Sequence, residues 1–236
     1  MNVLTINDLS AGYGKSQILF DVSIGVKEGS ITCILGPNGS GKSTLLKSIF
    51  GLTKIYKGSI KFDSKELVGL KPFEIVKLGI AYIPQVGNVY ENLTVKENLI
   101  MASYILSKEE AEERIEEALE FIPVLRGFLN RKVYTLSGGE RQMLAICMAL
   151  ILKPKLIMFD EPSANLAPKM VDTVFNKIRE LNESGLTILL VEQNVRKALQ
   201  ISEYANLLVS GRVRFSGKSE DLAKNPDFGK LFLGLK

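Results

Sequence analysis

The run Gly36-Pro37-Asn38-Gly39-Ser40-Gly41-Lys42-Ser43-Thr44 constrains this chain more than any other, because it satisfies the spacing G-x-x-x-x-G-K-[ST]. Before it stands Ile31-Thr32-Cys33-Ile34-Leu35, which reads as a strand buried on both faces, as in a parallel sheet. After it, a helix is expected from about Lys42 to Phe50. Glycines between a strand and a helix let the backbone curl until successive N–H groups point inward. The helix adds the positive end of its dipole. Such a loop binds phosphate: Lys42 supplies a point charge for the β and γ phosphates, and the Ser43 hydroxyl can ligate Mg²⁺. A Gly-rich turn before Lys-Ser by accident is the alternative, but the strand and helix around it favour nucleotide.

Composition narrows the chemistry further. The chain of 236 residues contains no histidine, which removes Ser-His-Asp and Cys-His catalysis and every His-containing zinc site. The net charge of +4, from 30 basic against 26 acidic residues, is spread without a basic block, so nucleic acid is not an expected partner. Cys33 and Cys147 sit in apolar runs and read as buried hydrophobes rather than a disulfide, which fits a reducing compartment. The N-terminal residues lack a signal core. The longest apolar run, Met143–Leu152, is about half the ~20 residues a spanning helix needs.

Along the chain, Val3–Ile6 and Ile18–Val26 read as short β runs with turns at Gly12, Gly14 and Gly29. Gly79–Pro84, Lys155–Phe159 and Thr187–Val191 are further strand candidates, the last two joined by a helix over Pro168–Leu181 as a parallel crossover. Ser107-Lys-Glu-Glu predicts a capping box, and Ala111, Ile115, Leu119 and Ile122 then fall at helical spacing up to Pro123. Leu207–Gly217 predicts a hairpin turning at Ser210-Gly211. The expected whole is a mixed α/β core interrupted by a mostly helical insertion from about 88 to 150.

A second anion site is predicted at Leu136-Ser137-Gly138-Gly139-Glu140-Arg141-Gln142. Ser137 and Glu140 make a capping box, and two glycines leave N–H groups uncovered at a helix start. With the phosphate loop upstream, this LSGGERQ run resembles the signature motif of ABC ATPases. The resemblance extends over essentially the whole chain. It implies a single ABC ATPase domain over 1–236: a P-loop NTPase (RecA-like) parallel-sheet core, an N-terminal antiparallel β subdomain and the helical insertion, with about 1–87 and 151–236 forming the core. It also implies a head-to-tail dimer in which Ser137, Gly138, Gly139 and Glu140 meet the γ-phosphate of nucleotide bound by the other subunit.

The remaining site residues follow from the same likeness. Leu156–Phe159 is an apolar run ending in Asp160-Glu161, at the strand end where ligands collect in parallel sheets. Asp160 corresponds to the Walker B aspartate, joining Ser43 at Mg²⁺, and Glu161 to the residue that polarises the attacking water. Gln85, after Ile83-Pro84, corresponds to the Q-loop glutamine, implying a third metal ligand that also senses a membrane partner. Tyr13 is placed to stack on adenine, a contact worth ~1–3 kcal/mol for any base. Two positions depart from the common pattern. Gln193 stands where most of the family has the histidine switch, and Ser163-Ala164-Asn165-Leu166-Ala167-Pro168 lacks the usual D-loop aspartate.

Both departures resemble the second ATPase of branched-chain amino-acid importers, a branch whose motifs urea and short-chain amide importers share. The resemblance implies ATP and Mg²⁺ as cofactors, transmembrane permease subunits, a like or unlike ATPase partner and, indirectly, a solute-binding protein. Its implied location is peripheral, on the cytoplasmic face of the cell membrane. Val86–Leu99 would meet the permease, with Tyr90 and Leu93 as apolar contacts. Two rival readings differ: a soluble ABC ATPase of translation or DNA maintenance, and a nucleotide-gated module that scarcely hydrolyses.

Overall fold

In a computed structural model of the chain, residues 1–233 are described. The strands that read as continuous apolar runs are the ones buried on both faces. β3 (Ile31–Leu35), β7 (Leu156–Asp160) and β8 (Thr187–Glu192) are buried at every residue. They form the centre of a six-stranded sheet with β6 (Ile80–Ile83), β9 (Tyr204–Val209) and β10 (Arg212–Lys218), in the order β10-β9-β3-β8-β7-β6. All neighbouring pairs are parallel except the β9–β10 hairpin. A second, antiparallel sheet is built from β1 (Asn2–Tyr13), β2 (Ser16–Lys27), β4 (Lys54–Phe62) and β5 (Lys65–Glu66), in the order β2-β1-β4-β5.

Because side chains alternate along a strand, the parallel sheet feeds two cores. Ile34, Met158, Leu189 and Val191 pack with Leu4 and Ile6 of the antiparallel sheet and with Leu45 and Ile49 of helix α1 (Lys42–Ile49). Cys33, Phe159, Ile188 and Leu190 face the other core, with Leu144 and Phe175. These belong to α5 (Gly138–Leu150) and α6 (Pro168–Glu183), which follow α2 (Pro72–Lys77), α3 (Val95–Ala102) and α4 (Lys108–Phe121). Each such buried side chain contributes roughly 1.5–3 kcal/mol.

The expected strands and crossover are present within a residue or two, except that the first, expected over Val3–Ile6, runs on to Tyr13 as β1 (Asn2–Tyr13). Several local readings are corrected. Gly12 is not a turn residue but lies inside β1 opposite Gln17, where a Cβ would stand 2.0 Å from the Ser16 carbonyl oxygen. The turn is carried by Gly14, at φ 58°. Ser107 does cap α4, accepting from the Glu110 N–H at 3.2 Å, but the box is not closed, because Glu110 pairs with Arg114 one turn on. β4, α2 and α3 were not legible. α3 has a closed capping box of its own, Thr94 with Glu97. The β9–β10 turn is as predicted. Ser210 and Gly211 both have positive φ, 49° and 73°, as a two-residue type I′ turn requires.

Candidate active site

The hairpin turn and β9 support the phosphate loop from behind. Gly211 donates its N–H to the Ser40 carbonyl at 2.9 Å, and a Cβ on Gly36 would lie 2.0 Å from the Leu208 carbonyl oxygen. Gly36 is thus required by close backbone approach as well as by its φ of 156°. The loop then opens into α1 through Gly41, at φ 102°. The Lys42 ammonium folds back over it, donating to the carbonyls of Gly36 at 3.0 Å and Pro37 at 3.2 Å.

Across the loop stand the ends of β7 and β8. Lys42 Nζ lies 3.3 Å from Glu161 Oε1, with the two side chains only 4% and 8% exposed. Glu161 Oε2 accepts from Gln85 Nε2 at 3.2 Å and also from Gln193 Nε2. Three residues taken from three separate motifs therefore meet at the carboxylate of a fourth. Glu161 itself has a left-handed backbone, φ 49°, with its N–H donated to the Val191 carbonyl of β8 at 2.9 Å. Such a conformation is uncommon for a residue with a Cβ and here sits at the strand end where the chemistry is expected.

Asp160 points the other way. Its Oδ1 accepts from the Ser43 hydroxyl at 2.9 Å and its Oδ2 from the Tyr82 hydroxyl at 3.0 Å. Burial pushes the Asp160 carboxyl above its usual range, opposed by both hydroxyls and reinforced by the charge of Glu161. Burial beside Asp160 also pushes the Tyr82 phenol up, so it remains a donor. A serine hydroxyl and a carboxylate oxygen held together form a hard-oxygen donor set of the kind Mg²⁺ takes.

A cleft of about 390 Å³ is lined by Tyr13, Asn38, Gly39, Gly41, Lys42, Ser43, Thr44, Gln85, Glu161 and Gln193, with Ile18. Tyr13 stands at its mouth, 45% exposed, and the Tyr56 hydroxyl braces its turn by donating to the Gly14 carbonyl at 3.1 Å. Gln85, predicted beside the metal, donates to Glu161, while Ser43 and Asp160 pair with each other. The signature residues do not line this cleft. Ser137 caps α5 with the full box: Ser137 N–H to Glu140 Oε2 at 2.7 Å and Glu140 N–H to Ser137 Oγ at 3.3 Å.

A phosphate loop, a strand-end carboxylate pair and a capped LSGGERQ helix start on one chain are matched by a known family. The profile of the family described as "ABC transporter" matches residues 19–164. The chain belongs to the ABC transporter family. It is 53% identical, over 96% of its length and 97% of the relative's, to a probable branched-chain amino acid transport ATP-binding protein, LivF, of Archaeoglobus fulgidus. It is 40% identical to the high-affinity branched-chain amino acid transport ATP-binding protein BraG of Pseudomonas aeruginosa, covering 98% and 100% of the two chains. Among solved structures, it matches the ADP conformation of an ATP-binding cassette of an ABC transporter. The TM-score is 0.88, the identity 29%, and 99% of both chains is covered.

As a cassette of this family the chain is a nucleotide-binding ATPase coupled to transport. Two further residues, Tyr82 and Glu192, stand at its strand ends. Tyr82 carried a signal only in its place three residues before Gln85. Glu192, 1% exposed, accepts from the backbone N–H of Ser163 at 3.0 Å, Gln193 at 3.0 Å and Asn194 at 3.2 Å. Burial raises its carboxyl against the pull of those donors.

Proposed function

We propose that this cassette hydrolyses ATP beneath a membrane permease on the cytoplasmic face of the cell membrane, energising uptake of branched-chain amino acids or chemically related small solutes. The observation that carries the reading is the convergence of Lys42, Gln85 and Gln193 on Glu161 beside the Ser43–Asp160 pair. The full-length likeness to LivF and BraG supports the solute class.

In this reading Tyr13 stacks on adenine, and residues 36–44 cradle the phosphates with their N–H groups. Lys42 is neutralised at rest by Glu161. A γ-phosphate competing for that ammonium leaves Glu161 free to accept a proton from water and orient it for in-line attack. Gln193 then holds phosphate and water together. Ser43 and Asp160 are the residues that would hold Mg²⁺, with Gln85 able to join by turning its amide. The ion would supply neutralisation of phosphate charge. Residues 1–87 and 151–236 serve as the catalytic core, and 88–150 as the helical part that answers to the permease.

The docking place follows from exposed apolar surface. A second cleft, of about 360 Å³, lies between core and helical part, lined by Phe50, Tyr82, Tyr90, Met148 and Leu152 among others. Tyr90 is 53% exposed there, whereas Leu93 is half-buried and its carbonyl accepts the Val133 N–H, so Tyr90 is the better contact. Among the described residues no helix is long and apolar enough to cross a membrane. A membrane solute-binding protein would be reached only through the permease.

The deciding experiment is steady-state ATPase activity of the reconstituted permease complex with Glu161→Gln in this subunit. The expected result is loss of this subunit's turnover with nucleotide still bound. A wild-type rate would refute the role of Glu161, and a rate indifferent to the permease would favour the weakly hydrolysing module.

A further inference from the structure

Glu192 is an acidic side chain almost wholly out of water, yet among the described residues it makes no salt bridge. Its two oxygens are shared between two separate loops: Oε1 takes the N–H of Ser163, two residues beyond Glu161, and Oε2 takes those of Gln193 and Asn194. A carboxylate accepting several backbone N–H groups is strongly held, and leaving those buried donors unpaired costs far more than the net worth of any one bond. The Ser163 loop continues to Leu166, whose Cδ2 would stand 3.0 Å from a Cβ built on Gly138. Next, Met170 of α6 packs on Gly139. A contiguous set of contacts thus runs from Gln193, in the nucleotide cleft, through Glu192 and the 163–166 loop to the start of α5.

We propose that Glu192 is a positioning residue that fixes Gln193 and the 163–166 loop as one unit. The amide of Gln193 then reaches Glu161 only when the loop resting on Gly138 is also in place. This deepens the functional reading above and rests on its assignment of Gln193. Glu192 does not line the nucleotide cleft. Its effect passes through the backbone of its neighbours.

The test uses Glu192→Gln and Glu192→Asp in the full chain. A glutamine amide must turn one N–H₂ toward a backbone N–H, so at least one loop loses its acceptor. A shorter carboxylate keeps both oxygens and is the conservative rescue. Hydrogen exchange of the protein alone is expected to show the amides of Ser163, Gln193 and Asn194 losing protection together in Glu192→Gln, with partial recovery in Glu192→Asp. In the transport complex, Glu192→Gln is expected to lower kcat by about 10- to 100-fold while KM for ATP stays within about twofold. Adding Gln193→Ala to it should cost little more, since both changes disable one unit.

Unchanged exchange at the three amides would overturn the proposal, as would multiplicative effects of the two substitutions. A Glu192→Gln variant with wild-type kcat would do the same. So would a uniform loss of protection across the chain, because that marks a general loss of stability. A silent Gln193→Ala on its own counts against the assignment of Gln193, and the exchange experiment still reads the tie directly. If Glu192→Gln does not fold, the same measurements on Glu192→Asp decide: protection at the two loops falls in parallel or the proposal fails.

Discussion

Gln193 is one of the two positions read as departing from the common ABC ATPase pattern, and its contacts give that reading a physical content. A histidine would titrate and hold one tautomer, whereas a glutamine amide donates at every pH and is oriented only by its partners. Here the partner is Glu161, which also binds Lys42 and Gln85, so the amide has a fixed target. Gln193→Ala removes one of three donors to that carboxylate. Hydrolysis should slow by roughly 10–100-fold, the equivalent of ~1.5–3 kcal/mol, with ATP affinity in calorimetry nearly unchanged. Tyr82→Phe is expected to act on the metal side. Asp160 loses the hydroxyl on Oδ2, and the Mg²⁺ concentration for half-maximal activity should rise by roughly tenfold. An unshifted Mg²⁺ titration would mean that Ser43 alone fixes Asp160. Sequence made Lys42 and Ser43 legible because the phosphate-loop motif is contiguous and its chemistry is explicit, whereas Asp160 and Glu161 were placed through the family resemblance. The hydrogen bonds of Tyr82 and Glu192 were not legible, because bonds between distant strand ends leave no periodicity to read.

Elements were legible where burial is two-sided. Runs such as Ile31–Leu35 have one reading, while α3, with Asn98 buried inside it, does not advertise an apolar face. Asn98 uses its whole amide to fasten the preceding loop, accepting the Tyr90 N–H at 2.7 Å and donating to the carbonyls of Tyr90 and Thr94. The start of α3 is fixed by Thr94, whose Oγ1 accepts from Glu97 N–H at 3.1 Å, and by Glu97, which accepts from Thr94 N–H at 2.6 Å. Those bonds hold Glu97 below the ordinary carboxylate range. A depressed carboxyl contributes stability above its unfolded pKa and loses it as pH falls through its folded value, so this cap weakens only on acidification. Thr94→Ala should lower the denaturation midpoint by the equivalent of ~1 kcal/mol at neutral pH with an unchanged m-value, measured by urea titration. The cysteines give a second check at this scale. Burial pushes the thiols of Cys33, in β3, and Cys147, in α5, up to about 12. Neither should react with a thiol reagent at pH 8 until the chain is unfolded.

On the scale of the molecule, the cleft around Lys42 has one wall. Its donors come from the phosphate loop and the ends of β6, β7 and β8, and nothing in it comes from α5. Yet α5 opens with an exposed Ser137 whose capping box engages the N–H groups of Ser137 and Glu140 and leaves those of Gly138 and Gly139 outside it. We read this helix start, with Gly138 half-buried and Gly139 buried, as an anion site that its own chain's cleft does not use. We infer that a second cassette turned head to tail closes the cleft with the start of its α5. A solved ATP-binding cassette bound to ADP and Pi, 29% identical to this chain with a TM-score of 0.79, is dimeric. Glu161→Gln in this chain should therefore form an ATP-dependent dimer by light scattering, alone or with a companion cassette. Ser137→Arg on that background should abolish the dimer and spare ATP binding, because a long cationic side chain fills the helix start without approaching Lys42. Ser137→Ala separates the two effects of the serine. It loses the cap, at a cost of ~1 kcal/mol, but leaves the space open, so its dimer should persist. If Ser137→Arg dimerises as readily as Ser137→Ala, the start of α5 lies outside the interface and the cleft must be closed by some other surface.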